Sequence, residues 1–190
     1  MKLFHYTLGN KVAAIIESGV IRTSPRQPRF PEKPIAWLSA NDEYEKTALK
    51  MGITGGGESR MLSIDEMALN GQGIFRFVFD TEEVKQEILH WPLLKVRSKA
   101  KPKISKRLLE RAKSVDVDPM QWYGTLGEDL PICTASLEKG EINPDGSITW
   151  VSVDGNVELS DDRALQLTVQ EAKNIGLDFE CSNEVWKGVA

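Results

Sequence analysis

The sequence predicts a single α+β domain, and three observations predict it. Short β-favouring runs are interrupted by stretches of helical periodicity, but without the regular strand–helix rhythm of a doubly wound sheet. The 190 residues suit one domain, and a chain of this size buries roughly 70% of its unfolded surface without a metal or disulfide staple. Hydrophobic residues at 41% and charged residues at 27% are globular proportions, and no repeat, low-complexity tract or linker divides the chain. The expected domain therefore runs from 1 to 190.

Residues 2–7 (KLFHYT) read as a strand, because Leu3, Phe4 and Tyr6 suit a pleated, half-buried surface. Asn10 is a candidate cap for a helix whose Val12, Ile15 and Ile16 share one face, and Gly19 supplies the stop. Residues 20–23 are then short and extended. Prolines at 25, 28, 31 and 34 impose an irregular loop that carries Arg22, Arg26 and Arg29. Ile35–Ser39 (IAWLS) reads as an apolar, central strand. Asn41, Asp42 and Glu43 have the composition of a helix start, with Tyr44, Ala48 and Met51 on one face of the helix that follows. Glycines at 52 and 55–57 predict a loop. Residues 74–79 (IFRFVF) are the clearest strand, followed by a helix start or turn at 80–83. A helix over about 103–114 turns Ile104, Leu108, Ala112 and Val115 inward and basic residues outward. Residues 119–131 look too turn-rich for a regular element. Strands are expected at 133–137 and 147–153 around the reverse-turn composition of 143–146, and a last helix from Ser160 to a stop at Gly176.

Charge is unevenly distributed beneath a net value of −4. Nine lysines and arginines fall within 95–113 against the single acid Glu110, whereas residues 115–190 carry 15 acids and 4 bases. Such a block is either an anion-binding stripe or a solvated helix face that pairs with the acidic third, and the second is the plainer reading.

Several chemistries are excluded or demoted. Two histidines 85 residues apart, with no HExxH, CxxC or EF-hand spacing, give no metal motif. GxGxxG, GxxxxGK[ST] and GxSxG are all absent. Cys133 and Cys181 make no disulfide framework; one bridge between them is open to the sequence, and two free thiols is the plainer reading. No run of 18 apolar residues suggests a membrane span, and the N-terminus has no signal-peptide core, so a soluble, cytoplasmic protein is expected.

The distinctive feature is His5-Tyr6-Thr7 at the end of the first strand. Alternation puts His5 and Thr7 on one face and Tyr6 on the other. An imidazole and a hydroxyl so spaced can grip neighbouring ligand groups, or His5 can simply bond the backbone. After this triplet come a helix closing as Ile16-Glu17-Ser18-Gly19-Val20-Ile21, a Pro-rich loop, the strand ending in Ser39, and an expected helix with Tyr44, Thr47 and Ala48. Over about residues 2–50 this order resembles the N-terminal half of ADP-ribosyltransferase-like domains. The nearest flavour is the H-x-T branch, which includes RNA 2′-phosphotransferases, poly-ADP-ribose polymerases and some bacterial toxins.

The resemblance implies a split, mixed β-sheet flanked by helices, NAD as substrate and a macromolecular target, whether protein or nucleic acid. By position, His5 would bind a ribose hydroxyl and Thr7 the nicotinamide amide, with Tyr6 between them. Trp37, Ser39 or Tyr44 would hold the nicotinamide ring, and Glu138, with Glu141 as competitor, would be the catalytic acid. The sequence departs from the family in lacking a recognisable third motif and the paired-glutamate or Gln-x-Glu signature. Two alternatives accompany this reading: a catalytically inactive nucleotide- or partner-binding protein of the same fold, and an RNA 2′-phosphotransferase-like enzyme whose Arg22, Arg26 and Arg29 grip a phosphate.

Overall fold

In the computed structural model, residues 1–24, 31–53 and 59–153 are described. Among these residues the fold is α+β, built on a seven-stranded antiparallel sheet with four helices. The chain opens with β1 (Lys2–Leu8) and α1 (Gly9–Ser18), which ends as expected on Gly19 in the left-handed conformation at φ 68°. The start of α1 differs from expectation. Leu8, with no side-chain bond, stands at the N-cap, and the Gly9 and Asn10 amides donate to the Gly73 and Gly71 carbonyls. Tertiary acceptors thus do the work expected of the Asn10 side chain.

β2 (Val20–Ile21), β3 (Ile35–Ser39), the hairpin β4 (Met51–Ile53) and β5 (Ser59–Met61), and α2 (Ile64–Asn70) follow. α2 starts on a reciprocal Ser63–Glu66 capping box. β6 (Ile74–Asp80), a turn at 81–83, β7 (Leu89–His90), α3 (Trp91–Arg97) and α4 (Pro102–Ser114) lead to β8 (Trp122–Leu126), β9 (Leu130–Pro131), β10 (Ser136–Ile142) and β11 (Ile148–Ser152).

The large sheet has the order β11-β10-β6-β1-β3-β8-β7. Every pairing described is antiparallel, not mixed. A parallel neighbour needs a crossover that brings the chain back to the same sheet. α1 instead delivers the chain to β2, which leaves the large sheet and pairs with β9. On one face, Leu3, Ala36, Leu38, Phe77 and Phe79 pack with Ile21 and Leu130. The other face carries two clusters: Trp91, Leu94 and Ala112 of α3 and α4 over Ile35, Leu89 and Trp122, and Met67 of α2 with Leu8, Leu62 and Ile74. Between these clusters the sheet is nearly split. β1 pairs with β6 over seven residues but with β3 only at Phe4↔Ser39.

Three other expectations are corrected. No α-helix follows Asn41, and only a 3₁₀ turn forms at Lys46–Ala48. The expected strand at 133–137 starts later, at Ser136, after a turn. The segment 122–126 is a strand between β3 and β7. Its alternation was hidden by Gly124, which reads as a breaker but serves close packing: a Cβ there would stand 2.7 Å from the Ala36 carbonyl oxygen and 2.8 Å from Ile35. The helix expected at 160–176, and Cys181, lie outside the described residues; Cys133 is an exposed free thiol. Among the described residues, no helix is long and apolar enough to cross a membrane.

The Gly124 contact makes a stability prediction. Gly124→Ala must push against backbone rather than a movable side chain, so it should lower unfolding free energy by about 1–3 kcal/mol. Urea denaturation reads this directly, and an unchanged midpoint would mean that β3 and β8 do not approach so closely.

Candidate functional site

Where β1 and β3 part, the edge of β3 offers carbonyls that β1 does not reach, and His5 fills the gap. Its Nδ1 lies 2.9 Å from the Trp37 carbonyl oxygen. A carbonyl only accepts, so Nδ1 carries the proton and Nε2 of the neutral ring is an acceptor. Burial, opposed by the Trp37 hydrogen bond and helped by the charge on Lys50, lowers the pKa of His5 from its ordinary 6.5. The imidazole is therefore a neutral ring of fixed tautomer at pH 7.

A cleft of about 320 Å³ opens at this seam. His5, Tyr6, Trp37 and Ser39 line it from the strands, Glu45, Thr47 and Lys50 from the segment after β3, and Leu108 and Arg111 from α4. Arg22 reaches it from the end of β2. Trp122 also lines the cleft, and its indole Nε1 is buried with no partner among the described residues.

The segment after β3 is not helical because its carbonyls are already taken. Tyr6 Oη donates to the Asn41 carbonyl at 2.5 Å, Arg76 to the Asp42 carbonyl, Trp150 Nε1 to the Glu43 carbonyl at 2.9 Å, and Asn41 Nδ2 to the Tyr44 carbonyl at 3.0 Å. An α-helix would need these four groups for its own i→i+4 bonds. The donors are well suited to hold. Burial, only partly offset by Arg76, pushes the Tyr6 hydroxyl up to about 12, so it stays protonated. The Arg76 guanidinium lies between the Phe4 and Trp150 rings, 4.2 and 4.3 Å from their centroids.

Held this way, the chain carries Glu45 into the cleft wall. The residue is 7% exposed and its carboxylate accepts from Ser39 Oγ at 2.8 Å, Thr47 N at 3.1 Å and Thr47 Oγ1 at 2.5 Å. The cations are arranged differently. Arg111 donates to the Leu49 carbonyl at 2.8 Å, which fastens α4 to the segment before β4. Lys50 is exposed as a residue, yet burial about its amine, and then the charges of Lys11 and Arg111, lower its pKa.

Of the residues singled out in the sequence, the structure brings His5, Tyr6, Trp37, Ser39 and Arg22 to this cleft. Thr7 and Tyr44 are not part of its lining. Tyr44 is buried, with its ring 5.0 Å from that of Tyr6, and Thr7 faces Phe75 across β1 and β6. Glu138 lies on β10 opposite Arg76, and its Oε2 accepts from Arg76 Nε at 2.6 Å. Glu141, also on β10, is exposed. Arg26 and Arg29 lie outside the described residues. His90 is structural, with Nε2 2.6 Å from the Met120 carbonyl and its ring stacked on Tyr123. In the basic block, Arg97 pairs with Glu87 at 2.7 Å and Lys106 with Glu110 at 3.8 Å, while eight of the 15 acids of residues 115–190 lie outside the described residues. Among the described residues no cluster of His, Cys, Asp and Glu is suited to a metal ion. Glu45, Lys50 and Arg111 were not foreseen. The only signal for them in sequence was chemical type, since their meeting depends on a loop and a helix that lie far apart in the chain.

Compared with protein-family models, curated proteins and solved structures, the chain matches none.

The lowered pKa of His5 gives a pH prediction. In the unfolded chain the ring takes up a proton near its ordinary pKa, while in the fold it resists until lower pH. Its contribution to stability is therefore complete above about pH 6.5 and is lost as pH falls through the folded pKa. Ring ¹⁵N NMR at pH 7 should show neutral His5 with the proton on Nδ1, and His5→Asn should flatten the fall in stability below pH 6.5. A neutral ring with its proton on Nε2 would contradict the seam geometry.

Proposed function

We propose that the protein is an NAD-using ADP-ribosyltransferase-like enzyme acting on a macromolecular target. The observation that carries this reading is the cleft at the parting of β1 and β3, where a neutral His5, an aromatic wall and three cations converge. A ligand pocket spans about 300–1,000 Å³, so 320 Å³ takes roughly a mononucleotide half, with the remainder extending outward. Arg22, Lys50 and Arg111 suit phosphate oxygens, and the buried, unpartnered Nε1 of Trp122 leaves a donor to be satisfied.

Each cleft residue then has a task. His5 Nε2 accepts a hydrogen bond from a ribose hydroxyl, and its tautomer is held by the Trp37 carbonyl. Trp37, half-buried and packed against Trp91 and Trp122 at 6.0 and 6.1 Å, offers a rigid aromatic surface to a ring. Ser39 does not contact the ligand directly in this scheme, because its hydroxyl donates to Glu45. Glu138 supports the site at a distance through Arg76. The bond from ribose to nicotinamide breaks, nicotinamide leaves, and the ADP-ribosyl group bonds to a nucleophile of the target, whose proton passes to solvent. The engagement of Glu138 by Arg76 is the observation that favours the other reading, a nucleotide-binding protein of the same architecture without turnover.

Calorimetry with NAD and an assay of nicotinamide release together test this. NAD should bind and nicotinamide should be released, faster when the target is present. His5→Ala should cut turnover by about tenfold or more, the worth of one well-placed hydrogen bond to the reacting sugar. Binding without release selects the non-catalytic reading, and absence of binding ends the proposal.

A further inference from the structure

We infer that Glu45 makes the cleft selective for a positively charged ring, so that it takes the oxidised nicotinamide nucleotide and discriminates against the reduced one. The inference rests on the NAD reading above and adds to it the charge state of the ligand and the residue that reads it.

Glu45 is buried in the cleft wall, and its three hydrogen-bond donors, Ser39 Oγ, Thr47 N and Thr47 Oγ1, are all neutral. Among the described residues, no lysine, arginine or histidine nitrogen lies within ion-pair distance of its carboxylate. A buried carboxylate without a counter-charge is costly, and such groups are normally paired. A carboxylate offers about four acceptor positions, and three are used here. Arg76 illustrates the usual solution a short distance away: its buried cation is paired with Glu138 and covered by two rings.

The cleft is thus charged in two senses. Arg22, Lys50 and Arg111 line it with positive charge, and Glu45 sets one buried negative charge into its wall. The complementary ligand carries anionic groups and one cationic centre. The oxidised and reduced dinucleotides share their ribose, phosphate and adenine groups and differ by the one positive charge on the nicotinamide ring. Glu45 acts on that difference, while the three cations act on what the two ligands share.

Calorimetry with two ligand pairs tests this on the intact chain: oxidised against reduced NAD, and the 1-methylnicotinamide cation against neutral nicotinamide. The wild type should prefer the charged member of each pair by about tenfold or more, as expected for a partly screened charge pair. Glu45→Gln keeps a carbonyl oxygen for Thr47 and removes the charge, with the Ser39 hydroxyl turning to accept from the new amide, and it should bring both ratios close to one, mainly by weakening the charged member. The wild-type comparison stands by itself if that variant does not fold. Should neither dinucleotide bind while the methylated fragment is still preferred, NAD as substrate is wrong and charge selection by Glu45 is right. Equal affinities within both pairs, ratios unchanged by Glu45→Gln, or no binding of any of the four overturns the inference.

Discussion

Four consecutive backbone carbonyls, those of residues 41–44, are held by side chains, and the cleft depends on that hold. Three of the donors come from different strands of one sheet: Tyr6 from β1, Arg76 from β6 and Trp150 from β11. The alternation of β-strands places all three on the same face: Tyr6 pairs with Arg76 and Arg76 with Glu138, and Trp150 stands opposite Gly140, two residues further along β10. Arg76 is central to the group. Its guanidinium is buried between two aromatic rings, paired with Glu138 and bonded to the Asp42 carbonyl. Such a cation is tolerated inside a protein only when its charge and its donors are all satisfied. The loop is therefore as much a partner for Arg76 as Arg76 is an anchor for the loop. One consequence is the position of Glu45, which the held segment sets beside Ser39 and against the open seam.

The seam itself follows from a similar economy of hydrogen bonds. Two neighbouring strands that pair at a single position leave backbone groups that need other partners. His5 takes one of them, the Trp37 carbonyl, and in doing so fixes its own tautomer. The space that remains is lined by residues from both strands, from the segment after β3 and from α4. Arg111 keeps α4 on that space by its bond to the Leu49 carbonyl. A cleft arises here because the sheet is incomplete at one place, and the surrounding side chains keep it from closing.

Much of the fold was legible because its signals are local. The apolar runs of β1, β3 and β6, the glycine stop of α1 and the one-sided stripe of α4 all express periodicity or a single conformational requirement. His5, Trp37 and Ser39 were legible for the same reason, since each belongs to such an element. What was not legible depends on distant partners. Asn41-Asp42-Glu43 has the composition of a helix start, but its carbonyls are claimed by residues up to 107 positions away. Gly124 looks like a breaker until the Ala36 carbonyl is placed beside it. Glu138 takes its expected role from the resemblance, and nothing in its neighbourhood in the chain announces Arg76, 62 residues earlier. The antiparallel order of the sheet was likewise invisible, because it is set by where α1 and α4 return the chain.

The proposed function requires that the space between β1 and β3 receive the nucleotide. A crystal structure of the full chain with NAD measures this most directly. The nicotinamide ribose should lie against His5 Nε2, the ring between Trp37 and Glu45, and phosphate oxygens within reach of Lys50 and Arg111. A dinucleotide bound elsewhere on the surface, with no contact to His5 or Glu45, would contradict it.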